Sequence, residues 1–155
     1  MSAATIDELV SELVTLFKDL PEFINKGFAT FNIDDVETVA GDTQLPIVCV
    51  SYEGTNPKES INAQAKQARS AAFNTVSVSV VIALEYASAL AKSDSKKSAT
   101  DLLDATRSVA LGHKGVNTRP WRFAGEAPIE SRMEGVIFYG QMWETDVPIL
   151  GTHQQ

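Results

Sequence analysis

The first twenty residues alternate apolar and polar positions with the period of an α-helix. Apolar side chains recur every three or four residues between Ile6 and Leu20, and acidic or other polar residues occupy the opposite face. Thr5 and Glu8 have the spacing of a capping box, and Pro21 cannot continue the helix. The pattern predicts an amphipathic helix that packs one face on a protein core. Its acidic polar face argues against a membrane surface.

Four later segments have the composition or the two-residue alternation of β-strands, and they are residues 47–52, 74–86, 119–127 and 133–145. Between the second and third strands, Ser98 and Asp101 have the spacing of a helix start, and Gly112 is a natural helix end. The order of elements is therefore α-β-β-α-β-β. It predicts an α+β fold with a mostly antiparallel sheet and two main helices.

Two of these strands have more surface than a small domain needs. The strand at 74–86 would extend about 43 Å, and one of its faces carries small polar side chains that could accept a helix or another chain. The strand at 133–145 is apolar on both faces, so one face serves the core and the other needs a helix or a neighbouring subunit.

The remaining segments are less regular. In residues 22–44, five large apolar side chains between positions 23 and 33 are followed by an acidic run, which predicts a covering segment with a short strand or helical turn near 33–39. Residues 53–72 are polar and rich in turn formers and alanine. They predict a flexible loop that becomes ordered in an assembly, or else an exposed helical turn. We expect one domain over residues 1–155, with a C-terminal tail from about residue 148.

Composition narrows the class of protein. The chain has 155 residues, 44 % of them hydrophobic and 21 % charged, which is an ordinary globular balance. The N-terminus lacks the basic start of a secretory signal, and the single cysteine, Cys49, excludes an internal disulfide. Cys49 lies in the middle of a predicted strand, which favours a buried structural thiol over a nucleophile. We expect a soluble protein from a reducing compartment, or one whose stability does not depend on disulfides.

Charge is distributed unevenly along the chain. Of the formal net charge of −7, residues 1–60 contribute −8 and residues 61–155 contribute +1. Seven basic residues meet three acidic ones between residues 92 and 122. The net charge argues against general nucleic-acid binding. The separation of charge is compatible with head-to-tail association of copies, or with a solvated surface that keeps the protein soluble.

Candidate catalytic chemistry is sparse. His113 and His153 lack the spacing of a metal-binding pair, and neither a nucleophile elbow nor a phosphate-binding loop occurs. Residues 112–115 could form an anion-binding nest, but a helix-ending loop accounts for the same residues. The paired carboxylates at 34–35 and 101–104 lie in polar surroundings. We therefore expect no enzyme, no metal, no cofactor and no catalytic residue.

Aromatic and basic residues are concentrated near the C-terminus. Trp121, Tyr139 and Trp143 accompany Arg119 and Arg122, and Trp, Tyr and Arg are enriched at interface hot spots. The alternative is that the aromatic residues form the core between two paired strands. Stacking of Trp121 on nucleic-acid bases is disfavoured by the net charge, although a local phosphate or acidic-protein contact stays open.

Two runs carry a family resemblance. The runs Arg-Pro-Trp-Arg-Phe-Ala-Gly-Glu-Ala-Pro-Ile-Glu at 119–130 and Met-Glu-Gly-Val-Ile-Phe-Tyr-Gly-Gln-Met-Trp-Glu-Thr at 133–145 resemble tail terminator (tail completion) proteins of long-tailed bacteriophages. Proteins of that family have a comparable size and a similar order of elements. The recognisable residues are confined to about 119–145.

The resemblance implies a structural virion protein. It implies a homohexameric ring that caps the tail tube, stops its polymerisation and offers a surface to the neck or connector protein. The partners would be other copies of the chain, the tail-tube protein and the neck protein, with the tail sheath as a further candidate and DNA only passing through the lumen. The location would be the tail–neck junction of the virion, after assembly in the host cytoplasm, with no membrane.

On this hypothesis the expected interface residues are Arg119, Trp121, Arg122, Tyr139 and Trp143. We expect Asn56, Lys58 and Lys66 in a loop that contacts the tube or neck. Acidic residues lining the lumen would repel passing DNA. Two alternatives stay open: a head–tail connector or tube-like subunit of the same assembly, and a small enzyme or ligand-binding domain that uses the His113 loop and nearby bases.

Overall fold

A computed structural model describes residues 4–57, 73–86, 98–115 and 119–148. In chain order its elements are α1 (Ile6–Lys18), a 3₁₀ turn (Pro21–Phe23), β1 (Gly27–Thr30), α2 (Ile33–Asp42), β2 (Ile47–Pro57), β3 (Phe73–Glu85), α3 (Ala99–Ala110), β4 (Arg122–Ile129) and β5 (Val136–Pro148). The described strands form a single sheet in the order β1-β2-β3-β5-β4.

The predicted class is confirmed, but the predicted order of elements is wrong. The sheet is antiparallel between β2 and β3, β3 and β5, and β4 and β5. The predicted order omits β1 and α2, which lie in the segment 22–44. The short strand or helical turn expected near 33–39 is the helix α2, which makes the described helices three. β1 has four residues and runs parallel to β2. It is too short to show a period, so its pairing with β2 defines it as a strand.

The predicted helix starts are confirmed. In α1 the Thr5 hydroxyl accepts from the Glu8 N–H at 3.1 Å, and the Glu8 carboxylate accepts from the Thr5 N–H at 2.9 Å. Ser98 and Asp101 form the same reciprocal pair at the start of α3. These caps satisfy backbone N–H groups that the first helical turn leaves without a partner.

Helices α1 and α3 cover one face of the sheet, and the largest hydrophobic cluster lies beneath them. Leu9, Leu13 and Phe17 of α1 and Leu102 of α3 are buried there. The alternate β3 side chains that face them are Val76, Val78, Val80, Ile82 and Leu84. The two-residue alternation of β3 therefore places its apolar face under the helices, as the sequence predicts.

Helix α2 lies on the opposite face and covers only one end of it. Val36 and Ala40 of α2 pack there with Cys49, Ala83 and Phe138. Towards the other end of the strands the same face carries Ser79, Ser77 and Thr75 on β3, which pair with Met142, Glu144 and Asp146 on β5. The second face of β5 is therefore covered near Phe138, and Met142 is exposed.

Several strand boundaries differ from the prediction. β2 continues to Pro57 through an irregularity between Tyr52 and Gly54, so residues 53–57 of the predicted loop are strand. β4 and β5 begin three residues later than expected, β5 after a turn in which Gly135 has φ 75°. Positive φ favours glycine at that position. Residues 58–72 and 149–155, which contain the rest of the loop and the tail, lie outside the described residues.

Candidate assembly surface

Trp121 and Trp143 are core residues of the single chain. They are 1 % and 0 % exposed, and their indole N–H groups donate to Glu12 Oε1 at 3.3 Å and to Gln141 Oε1 at 3.2 Å. The Trp143 ring also meets the Phe123 ring edge-on at 5.4 Å between centroids. The expectation that these tryptophans contact a partner is therefore corrected: a second chain cannot reach them without opening the core, and the core alternative describes them.

The other three residues of the predicted C-terminal interface do not form one patch. The Arg119 guanidinium lies 4.4 Å from the centre of the Phe73 ring. Arg122 donates to Asp146 Oδ1 at 3.1 Å on the face that α2 partly covers. Tyr139 lies on the sheet face that α1 and α3 cover, where it is half-buried against the larger hydrophobic cluster. Arg119 and Arg122 are accessible, whereas Tyr139 is mainly a packing residue.

The predicted tube- or neck-contacting loop is only partly described. Asn56 is exposed near the end of β2, where it pairs with Thr75 of β3. Lys58 and Lys66 lie outside the described residues. Asn56 therefore belongs to the projecting end of the β2–β3 ribbon, beyond the point where β1 ends opposite Ser51.

Beyond α2, no other described helix packs on the second sheet face, and we call the polar residues there the open face. Its exposed members are Glu53, Arg122 and Met142, its half-buried members are Thr75, Ser77, Ser79 and Glu144, and Asp146 at its margin is 5 % exposed. Hydroxyl groups of β3 hold its carboxylates: Ser79 donates to Glu53 at 2.8 Å, and Thr75 donates to Asp146 at 3.1 Å. These bonds fix acidic side chains on the open face. The small polar side chains predicted on one face of β3 are half-buried and lie on the sheet face opposite α1 and α3.

The loop after α3 encloses a carboxylate of the chain itself. Glu12 of α1 lies under this loop, where His113 Nε2 is 3.8 Å from Glu12 Oε1. A side chain at Gly115 would collide with the same carboxylate. The described part of the loop therefore surrounds an internal anion, which favours the helix-ending loop over a nest for an external ligand.

A buried polar network joins α3 to the β4–β5 hairpin. The amide nitrogen of Gln141 donates to Leu103 O at 3.1 Å and to Glu126 Oε1 at 3.0 Å. Its oxygen accepts from Thr106 Oγ1 at 2.9 Å and from Trp143 Nε1. Among the described residues every buried side-chain polar atom has a hydrogen-bond partner. The network therefore fixes the hairpin on the helix layer.

An ion-pair cluster fixes the other end of the same hairpin on α2. Arg132 binds Asp34 and Glu37, and its Nε donates to Glu37 Oε2 at 3.2 Å. The hydrogen bond from Arg132 holds the pKa of Glu37 below its usual range and raises the pKa of Arg132. Arg132 and Asp34 are exposed and Glu37 is half-buried, so solvent screens much of the contribution of this cluster to stability.

Sequence reasoning missed an exposed aromatic residue at the start of α2. Phe31 is 90 % exposed, directly after β1 and before Asn32, which caps α2. At the C-terminal end of α2 lies a cleft of about 570 Å³ lined by residues that include Ala40, Leu45 and Val136. The spacing of Asn32 and Asp35 was an available signal for the helix start.

The described part of the chain contains no group of three potential metal ligands, and no described helix is long and apolar enough to cross a membrane. No protein-family model matches the sequence, and a search of curated proteins finds no match.

Proposed function

We propose that this chain is a structural subunit that forms a ring at the end of a phage tail tube, stops growth of the tube and presents a surface for head or neck joining. The observation that carries the proposal is the open face. Two thirteen-residue strands, β3 and β5, continue beyond the part of the sheet that α2 covers. A small domain has little need of strands this long for its own core.

The chemistry of the open face supports contact with a large partner. Its acidic side chains are held by hydroxyl groups of the same sheet, so little side-chain freedom is lost when a second surface packs on them. Arg122 supplies one positive charge beside Glu144 and Asp146. In a ring the part of this surface that stays uncovered repels DNA that passes through the lumen.

The position of the β4–β5 hairpin also supports the proposal. Residues 119–145, which carry the resemblance to tail terminators, include all of β4 and most of β5. β4 is an edge strand of the sheet, and its Pro128 and the irregularity next to Gly125 disfavour further pairing along that edge. Extension of the sheet by another strand along the β4 edge is therefore disfavoured.

The rival enzyme or ligand-binding function would use the loop at His113. There the carboxylate of Glu12 already occupies the concave side of the loop, close to His113 and Gly115. An external anion would have to displace a carboxylate whose side chain is only 8 % exposed. This arrangement favours the structural role.

Polymerisation of the tail-tube protein of the same phage tests the proposal. A terminator shortens the tubes when it is added, and its copies are found at tube ends by electron microscopy. A tube-like subunit would instead be incorporated along the tubes, and a connector would leave their length unchanged; either result contradicts termination.

A variant pair sharpens this experiment. Ser79→Arg places a long cation on the open face, whereas Ser108→Arg places the same side chain on the exposed surface of α3. We expect Ser79→Arg to abolish the shortening of tubes and Ser108→Arg to retain it. Equal activity of the two variants would contradict the role of the open face.

A further inference from the structure

Phe31 projects from a rigid corner of the fold. Its backbone N–H donates to Asp35 Oδ2 at 2.8 Å, and the Asn32 side chain accepts from the Asp35 N–H at 3.0 Å. Both bonds fix the entry of the chain into α2. The aromatic ring is nevertheless 90 % exposed. The backbone is thus held in place while the largest apolar side chain of the corner faces solvent.

The local helix geometry offers this side chain an internal packing site that it does not use. A residue before the N-cap commonly packs on the fourth helical residue, which in α2 is Val36. Val36 is buried in the cluster beneath α2, whereas Phe31 points away from it. A fixed and exposed phenylalanine is the kind of side chain that anchors protein interfaces.

The cleft at the other end of α2 has the character of a receptor for such a side chain. Its apolar lining comes from Ala40, Leu45, Tyr86 and Val136, and its volume of about 570 Å³ exceeds that of one aromatic side chain. Glu85 and Glu134 also line it. A concave site that combines apolar side chains with a few polar groups can receive an anchoring side chain.

The length of α2 excludes insertion of Phe31 into the cleft of its own chain. The helix has ten residues and therefore spans about 15 Å between the corner and the cleft. We propose that Phe31 of one copy inserts into the cleft at the C-terminal end of α2 of a second copy. The contact is head-to-tail, and repetition of a head-to-tail contact closes a ring when the rotation between copies allows it.

This inference rests on the proposed ring and names the contact between its subunits. Light scattering after size exclusion, at several concentrations, measures assembly of the purified chain. Phe31→Ser removes the anchor, and Gln44→Trp fills the cleft from an exposed position. Leu111→Ser, which removes a 62 % exposed leucine on α3's C-terminal side, is the matched control.

We expect each of the two contact variants to raise the concentration for assembly at least about tenfold, since burial of a phenylalanine contributes at least that factor. Leu111→Ser should assemble like the wild type. A mixture of Phe31→Ser and Gln44→Trp keeps one intact anchor and one intact cleft, so it should form one-to-one heterodimers and nothing larger.

Circular dichroism confirms that each variant is folded before the comparison. If the wild type assembles and Phe31→Ser assembles at the same concentration, this contact is overturned while the ring proposal stands. If the wild type is a monomer at all concentrations, the contact between copies is overturned, and shortening of tail tubes still tests the proposed function separately. Binding of Phe31 to the tube protein instead of to a second copy would also overturn the proposed contact between copies.

A disulfide trap gives an independent result. Phe31→Cys combined with Gln44→Cys should form a ladder of covalent oligomers on mild oxidation, and either single variant should not exceed a dimer. Cys49 is buried, so it does not compete. A double variant that yields only the products of the single variants would contradict the contact.

Discussion

The buried amide of Gln141 connects α3 with the β4–β5 hairpin, and Gln141→Leu removes this connection while keeping a side chain of similar size. All four hydrogen bonds of the amide are lost, with lengths between 2.9 and 3.2 Å. Gln141 is 0 % exposed, so water does not replace the lost partners. We expect a less stable fold in which the hairpin is loosened from the helix layer.

The expected loss of stability depends on which hydrogen bonds each former partner of Gln141 retains. The single proton of the Thr106 hydroxyl can turn to Leu103 O at 2.9 Å, and Glu126 still binds Arg107 at 2.6 Å. The Trp143 indole N–H loses its acceptor inside the core, which costs about 1–3 kcal/mol. Each of the other three lost bonds contributes about 0.5–1.5 kcal/mol, and the apolar leucine offsets part of the sum. The free energy of unfolding should fall by about 3 kcal/mol.

Urea denaturation of the wild type and four variants tests this reasoning. Trp143→Phe removes the N–H group that Gln141→Leu leaves without an acceptor, so the double variant should be more stable than the sum of the single effects by about 1–2 kcal/mol. Met142→Leu, next along the strand but exposed on the other face, should change stability by less than about 0.5 kcal/mol. A cost below about 1 kcal/mol for Gln141→Leu, or additive effects in the double variant, would refute the account.

Three further predictions concern other parts of the fold. Because the pKa of Glu37 is lowered in the folded state, its ion pair with Arg132 stabilises the fold above the ordinary pKa of 4.5, and this stabilisation is lost as the pH falls through the folded pKa. Arg132→Ala should therefore lose less stability on acidification than the wild type. Thermal unfolding between pH 6 and pH 3 measures this difference. Burial raises the pKa of Cys49 to about 12, so a thiol reagent at pH 8 should modify the folded chain slowly and urea should accelerate the reaction; rapid modification without urea would contradict the buried position. Asn32→Ala removes the cap of α2 and should cost about 1 kcal/mol, whereas Asn74→Ala, outside any helix, should cost less.

Local signals account for the elements that the sequence predicts. Thr5 with Glu8 and Ser98 with Asp101 identify helix starts because both partners lie within one turn. The alternation of β3 assigns its faces for the same reason, since neighbouring residues alone define it. The segment with β1 and α2 was undecided because a four-residue strand has no measurable period and depends on pairing with β2.

The composition of the candidate surface could be predicted less well, since burial depends on residues far apart in sequence. The indole of Trp143 donates to Gln141 in the core, and the indole of Trp121 donates to Glu12, which is 109 positions away in the sequence. An interface rich in tryptophan and a core rich in tryptophan have the same sequence pattern. Phe31 presents the reverse case, because an apolar residue beside a strand is ordinarily assigned to a core and here faces solvent.

The number and position of copies on assembled tail tubes test the central claim most directly. Tubes are polymerised with a fluorescently labelled chain, and copies are counted on single tubes by stepwise photobleaching. The account predicts six copies, all at one end of each tube. Copies distributed along the tube, or tubes that carry none, would contradict a terminating ring.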